Sequence, residues 1–194
     1  MTFGSSSTAD LSGSVVAVHR APDYQFSKDT AESITLLAGL GVEGDVHLGA
    51  TVRHRSRVAK DPNQANLRQV HLVMSELLDE VRAQGHELRG GQLGENITTR
   101  GVDLIGLPVG SILRVGDVAL VALTGLRNPC YQIRDVGEGV LKMMFVEGER
   151  YGRPGEQVGR TGVMGVVVAG GRVSAGDAIE IRYPAGTHTP MQGI

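Results

Sequence analysis

The sequence predicts a mainly β protein: a compact, barrel-like domain with a few short helices. Three observations carry this expectation. Short runs of Val, Ile and Leu recur along the chain. Glycine turns separate them, 28 of the 194 residues being Gly. Helical periodicity is confined to two stretches. Glycine at twice the usual ~7%, without a Gly-X-Y period, reads as punctuation between strands. With 41% hydrophobic and 21% charged residues, the chain can bury one substantial core. Its single cysteine forbids an internal disulfide. Residues 1–13, rich in Ser, Thr and Gly, read as a tail, residues 14–183 as one domain, and 184–194 as a C-terminal tail.

The elements follow in order. Residues 14–19 (SVVAVH) are a Val-rich run stopped by Ala21-Pro22, which predicts a buried strand. Ser75 is placed to cap a helix carrying Leu77, Leu78 and Val81 on one face, with Glu76 and Asp79 in its first turn and Gly85 closing it. The glycine-rich turn at 90–96 feeds a strand at 97–100. Residues 112–115 and 118–123 flank Gly116-Asp117 and predict a hairpin, and residues 163–169 and 172–173 around Gly170-Gly171 predict another. A second helix is expected over 138–147, with Val140, Leu141, Met144 and Phe145 on one face. Residues 178–183 alternate, with Ile179, Ile181 and Tyr183 sharing one side of a strand. Gly110-x-x-Leu113-x-x-Gly116-Asp117 is echoed by Gly170-x-x-Val173-x-x-Gly176-Asp177, which reads as either shared turn chemistry or two corners of one closed sheet. The polar segment 53–66 lacks periodicity and reads as a functional or mobile loop.

A formal charge of −2 supplies no global attraction to nucleic acid or an anionic membrane. Four Tyr, three Phe and no Trp leave little material for base stacking. No apolar run approaches the ~18 residues of a membrane span, and the start lacks a signal-peptide pattern. These features point to a cytoplasmic protein without nucleic-acid or membrane partners, a monomer or a homodimer.

Several constellations can carry chemistry. Cys130 ends the segment Thr124-Gly125-Leu126-Arg127-Asn128-Pro129-Cys130, directly after an expected strand. A nearby guanidinium favours the thiolate, the nucleophilic and metal-binding form; a buried structural cysteine is the alternative. Gly90-Gly91-Gln92-Leu93-Gly94-Glu95-Asn96 can form an anion nest, but it lacks the lysine of a P-loop and the helix of a dinucleotide fold. Asp45, His47, His54 and His71 invite a metal reading without matching a helix-enforced motif. Arg53, Arg55, Arg57 and Lys60 form a basic run able to meet a phosphate or simply to face solvent.

Taken in order, seven segments resemble the MOSC family, named after the C-terminal domain of molybdenum-cofactor sulfurases. They are Phe26-Ser27-Lys28, Gly41-Val42-Glu43-Gly44-Asp45-x-His47, Arg68-Gln69-Val70-His71-Leu72, Gly94-Glu95-Asn96-Ile97-Thr98, Leu107-Pro108-x-Gly110, Arg127-x-Pro129-Cys130 and Gly170-Gly171-x-Val173-x-x-Gly176-Asp177. The resemblance implies a compact β-barrel-like MOSC fold and a pocket for a molybdopterin-type molybdenum cofactor. It implies that Cys130 ligates molybdenum or carries a persulfide, a soft donor for a soft centre. Arg127 and part of the basic loop would meet the cofactor's phosphate, while Glu95 and Asn96 support the cysteine loop or the pterin. Gly94, Asp45, His47, Arg68, His71 and Asn128 are carried over as cofactor-binding positions. Lys28 matches a lysine, and Glu76 a glutamate, implicated in related bacterial reductases of N-hydroxylated bases. Those reductases carry His-Gly-Gly-x-x-Lys-Ala-Val where this chain has Asn66-Leu67-Arg68-Gln69-Val70-His71.

The expected function is therefore a molybdenum-cofactor oxidoreductase component reducing small N-oxygenated or N-hydroxylated compounds, served by an electron-donating reductase. The alternative is a sulfur or cofactor carrier served by a sulfur-donating desulfurase. A hydrolase using Asp45, His47 and His71 around a metal is the third reading.

Overall fold

The computed structural model describes residues 12–194, so the expected tail at 1–13 lies outside the described residues except for its last two. In chain order the strands are β1 (Ser12–Arg20), β2 (Asp29–Ala31), β3 (Ser33–Leu37), β4 (Gly41–Val42), β5 (Val70–Met74), β6 (Ile97–Arg100) and β7 (Ile112–Val115). They continue as β8 (Ala119–Leu126), β9 (Phe145–Glu147), β10 (Gln157–Gly159), β11 (Val163–Ala169), β12 (Gly171–Ser174) and β13 (Ala178–Arg182). The helices are short: α1 (Arg55–Val58), α2 (Ser75–Ala83) and α3 (Val140–Met143).

Seven strands close a barrel in the order β13-β7-β8-β11-β5-β6-β1, and β1 pairs back onto β13. Closure leaves no end strand within the barrel itself, and β2 adds outside it by pairing with β1. All neighbours are antiparallel except β5 and β6, and α2 supplies the crossover that a parallel pair requires. Leu72, Ile97, Leu113, Val121, Leu123, Val163 and Ile179 fill the interior. A second apolar cluster lies outside the wall, where Leu77, Leu78 and Val81 of α2 meet Val73, Leu93, Ile133 and Met144. Fully burying side chains of this size is worth about 1.5–3 kcal/mol each. Small sheets β12-β3-β4 and β9-β10 decorate the barrel.

Most expected elements are present, with three corrections, to a hairpin, a helix length and a helix cap. Residues 163–173 form no hairpin: β11 stays in the barrel while β12 leaves it to pair with β3. The expected helix over 138–147 is one turn, α3, because Phe145–Glu147 instead pairs antiparallel with Gln157–Gly159. Met74 occupies the N-cap of α2 in extended conformation, since β5 runs straight into the helix; Ser75 is its first residue and donates to Glu76. Loop 53–66 contains the turn α1. The echoed Gly-Asp turns do lie together: β7 pairs with β13, and Asp177 packs against Gly116. Both Gly116 (φ 62°) and Gly176 (φ 91°) use the left-handed region. Within residues 184–194, Met191 is buried and Gly193 forms a parallel bridge with Leu126.

Candidate functional site

Strand alternation decides which side chains leave the barrel. On β5, Val70 and Leu72 point inward, so His71 and Val73 face the other way. Met164 of β11 sits in register opposite His71, and both line a cavity of about 300 Å³ against the wall. Gly162 (φ 100°) makes room for this pair, because a Cβ there would strike the Leu72 carbonyl and lie 2.9 Å from His71 Nε2.

Cys130 enters the cavity from the loop after β8. Its Sγ lies 3.7 Å from Arg127 Nη2 and 3.8 Å from Gln132 Oε1. The same cavity wall carries five cationic side chains, Lys28, Arg53, Arg57, Arg68 and Arg127, and three histidines, His47, His54 and His71. No Asp or Glu lines it among the described residues. The mutual repulsion is legible in the acidities. Burial and the charges of Arg57 and Arg127 lower Arg68 to about 10. Burial together with Arg68, His47, Arg57 and Arg127 lowers His54. His71 is buried and held well below the usual imidazole range, first by burial and then by Arg127, while its Nε2 donates to the Thr161 carbonyl at 2.8 Å. Arg68 Nη1 also donates to the Ile194 main-chain oxygen at 2.6 Å.

Asp45 stands behind this wall and organises it. Its Oδ2 accepts from Lys28 Nζ at 2.6 Å and Asn96 Nδ2 at 3.0 Å, while Oδ1 accepts from the His47 main-chain N–H at 3.0 Å and contacts His47 Nδ1 at 3.2 Å. Burial opposes its charge, yet the His47 and Lys28 bonds prevail and hold the carboxyl well below the ordinary range. Burial lowers Lys28 against the opposing pull of Asp45. Asn96 also donates to the His19 carbonyl and accepts from the His71 N–H, so it ties β1, β5 and Asp45 together.

The site residues expected from sequence divide three ways. Cys130, Lys28, Arg127, Gly94, Asn96, His47, Arg68 and His71 share the cavity. Asp45 and Glu95 support it from behind: Glu95 is fully buried and accepts from Gly91 N, Leu93 N and Thr98 Oγ1, bracing the glycine turn. Burial raises the Glu95 carboxyl above its usual range. Glu76 and Asn128 are not on the wall. In the first turn of α2, the Glu76 carboxylate is engaged by the Gly101 N–H at 2.7 Å, and the Asn128 carbonyl accepts from Arg127. The hydrolase reading loses its ligand set, because the described residues contain no group of three or more His, Cys, Asp or Glu able to hold a metal. Sequence reasoning missed Tyr24, Asn66, Gln132 and Met164 on the wall. Only Met164 left a signal, standing out of phase with the inward Val163 and Val167.

A closed seven-stranded barrel with a loop cysteine over a cation-lined cavity defines the class: a thiol-bearing β-barrel domain. The MOSC domain family model matches residues 43–180, more than half of the chain, and the chain belongs to that family. Solved structures agree on the fold. The YuaD protein from Bacillus subtilis superposes with a TM-score of 0.70 at 22% identity, over 89% of this chain and 97% of that one. YiiM from Escherichia coli gives 0.57 at 22% identity, over 92% and 73%. YiiM from Geobacillus stearothermophilus gives 0.56 at 14% identity, over 92% and 77%. A comparison with curated protein sequences returns no match. The MOSC family is associated with molybdenum-cofactor binding. No helix among the described residues is long and apolar enough to cross a membrane.

Proposed function

We propose that this chain binds a molybdopterin-type molybdenum cofactor through Cys130 and serves as the catalytic component of a reductase for small N-oxygenated or N-hydroxylated compounds. One observation carries the reading: the chain's only cysteine opens into a cavity lined by five cations and, among the described residues, no carboxylate. That donor set suits an anionic, sulfur-rich group. A thiolate is a soft ligand for molybdenum, and guanidinium forks bind phosphate oxygens bidentately.

When bound, the cofactor supplies the two-electron centre. The protein supplies the rest. Arg57, Arg68 and Arg127 hold the anionic end, while Cys130 takes the metal. Lys28 and His47, both anchored on Asp45, place proton-bearing groups on the same wall. His71 and Met164 form a wall of low polarity, with His71 kept neutral by burial. Electrons come from a reductase partner.

The test is to produce the chain in a host able to make the cofactor and measure molybdenum and pterin beside Cys130→Ala. Loading near one equivalent, lost in the variant, together with turnover of an N-hydroxylated base by reduced dye, is the expected result. Loading without turnover would replace the reductase reading with a carrier of sulfur or cofactor. Absence of molybdenum from both proteins would overturn the assignment.

A further inference from the structure

We infer that His47 is the proton donor of the cavity and that Asp45 positions it, an inference that rests on the proposed reductase activity. Reducing an N-hydroxylated compound breaks one N–O bond. Two electrons and two protons convert R–NH–OH to R–NH2 and water, the electrons coming from the centre held at Cys130. The departing oxygen must be protonated as the bond breaks, so the wall must carry an acid.

The bonding around the cavity singles out one group. His71 is held by the Thr161 carbonyl through Nε2 and by the main chain of Gly94. His54 stands among Arg57, Arg68 and Arg127, whose charges disfavour its protonated form. The Lys28 ammonium is engaged by Asp45. His47 differs from all three. Its Nδ1 meets a buried carboxylate at 3.2 Å, its Nε2 makes no hydrogen bond among the described residues, and its ring lines the cavity. A carboxylate on Nδ1 keeps that proton in place and leaves Nε2 to exchange with substrate, the division of labour seen in carboxylate–histidine pairs. Tyr24 packs edge-on against the ring at 5.9 Å and His54 lies face-on at 6.4 Å, which restrains its orientation. Asn66 Nδ2 donates to the His47 carbonyl and fixes the backbone. The titratable groups facing the ring are therefore Asp45, His54 and Tyr24, with Lys28 acting through Asp45.

After donation the ring is left as the Nδ1–H tautomer, which Asp45 favours. Nitrogen-detected NMR of the cofactor-free protein reads that tautomer directly. The expected neutral form carries its proton on Nδ1, and Asp45→Asn shifts it toward Nε2. In loaded enzyme given reduced viologen and an N-hydroxylated base, the wild-type rate declines on the alkaline limb of its pH profile. His47→Gln lowers kcat about 100-fold and removes that limb while retaining molybdenum. Asp45→Asn moves the limb to lower pH, an effect a purely structural role would not produce. A wild-type Nε2–H tautomer, or a His47→Gln enzyme with normal kcat and an unchanged limb, overturns the donor while the reductase reading stands. A loaded wild type without turnover overturns both.

Discussion

Arg127 Nη2 lies 3.7 Å from Cys130 Sγ, and the two residues are joined by only Asn128 and Pro129. The guanidinium is thus placed against the sulfur by the loop that also carries the sulfur. Their positions in sequence made this contact feasible; the fold sets both residues on the wall of one cavity. Positive charge beside a thiol favours its reactive anionic form. Arg127→Gln is expected to slow alkylation of Cys130 by iodoacetamide at pH 7 about tenfold. An unchanged rate would show that the contact does not control the sulfur.

Lys28 and Asp45 form an ion pair at 2.6 Å with side chains only 4% and 3% exposed. Breaking one side of such a pair strands a buried charge and costs about 3–5 kcal/mol. Lys28→Met is expected to lower stability by that order in urea denaturation. Adding Asp45→Asn should recover part of the loss, since the stranded charge is then gone. Equal stability of the single and double variants would refute the coupling.

Glu95 accepts from two main-chain N–H groups and the Thr98 hydroxyl at zero exposure. Glu95→Ala leaves all three donors without their acceptor and should cost about 3 kcal/mol or more. Thermal unfolding measures it, and Glu95→Gln, which keeps a carbonyl oxygen, should lose less.

His19 is buried between Thr98 Oγ1 and Thr30 Oγ1, and burial, aided by Lys28, lowers it from 6.5 to about 4. Between those two values the unfolded chain binds more protons than the folded one, so stability falls as pH drops from 6.5 toward 4. His71 adds to the same trend, being held neutral by burial. Urea midpoints measured across this window should decline with acidification, and His19→Gln should flatten the decline. A profile identical to wild type in that variant would assign the acid sensitivity elsewhere.

Glu76 braces the Gly101 N–H from α2 and does not line the cavity. Glu76→Ala is expected to cost about 1 kcal/mol of stability while leaving Cys130 alkylation unchanged. A marked change in the thiol's reactivity would return Glu76 to the site.

Local patterning accounts for how much could be read in advance. The Val-rich β1, the β7–β8 turn at Gly116-Asp117 and the apolar face of α2 all follow from residues within a few positions of one another. Failures came where a distant partner outweighed that local signal. Phe145 follows a one-turn helix, but Phe145–Glu147 is drawn into extended pairing by Gln157–Gly159. Strand β12 is one residue from β11 yet pairs with β3, because the barrel already uses both edges of β11 for β5 and β8.

The site shows the same division. Sequence alone determined the family motifs, the mainly β class and the identity of the cysteine, since these rest on residue type, order and local turn chemistry. Tertiary structure decided that Arg57 and Arg68 join Arg127 around Cys130, that Asp45 holds both Lys28 and His47, and that Glu76 stays outside. The reason is physical: closing the barrel brings together segments distant in the chain, and which side chain faces the cavity depends on strand parity and on partners that no local spacing specifies.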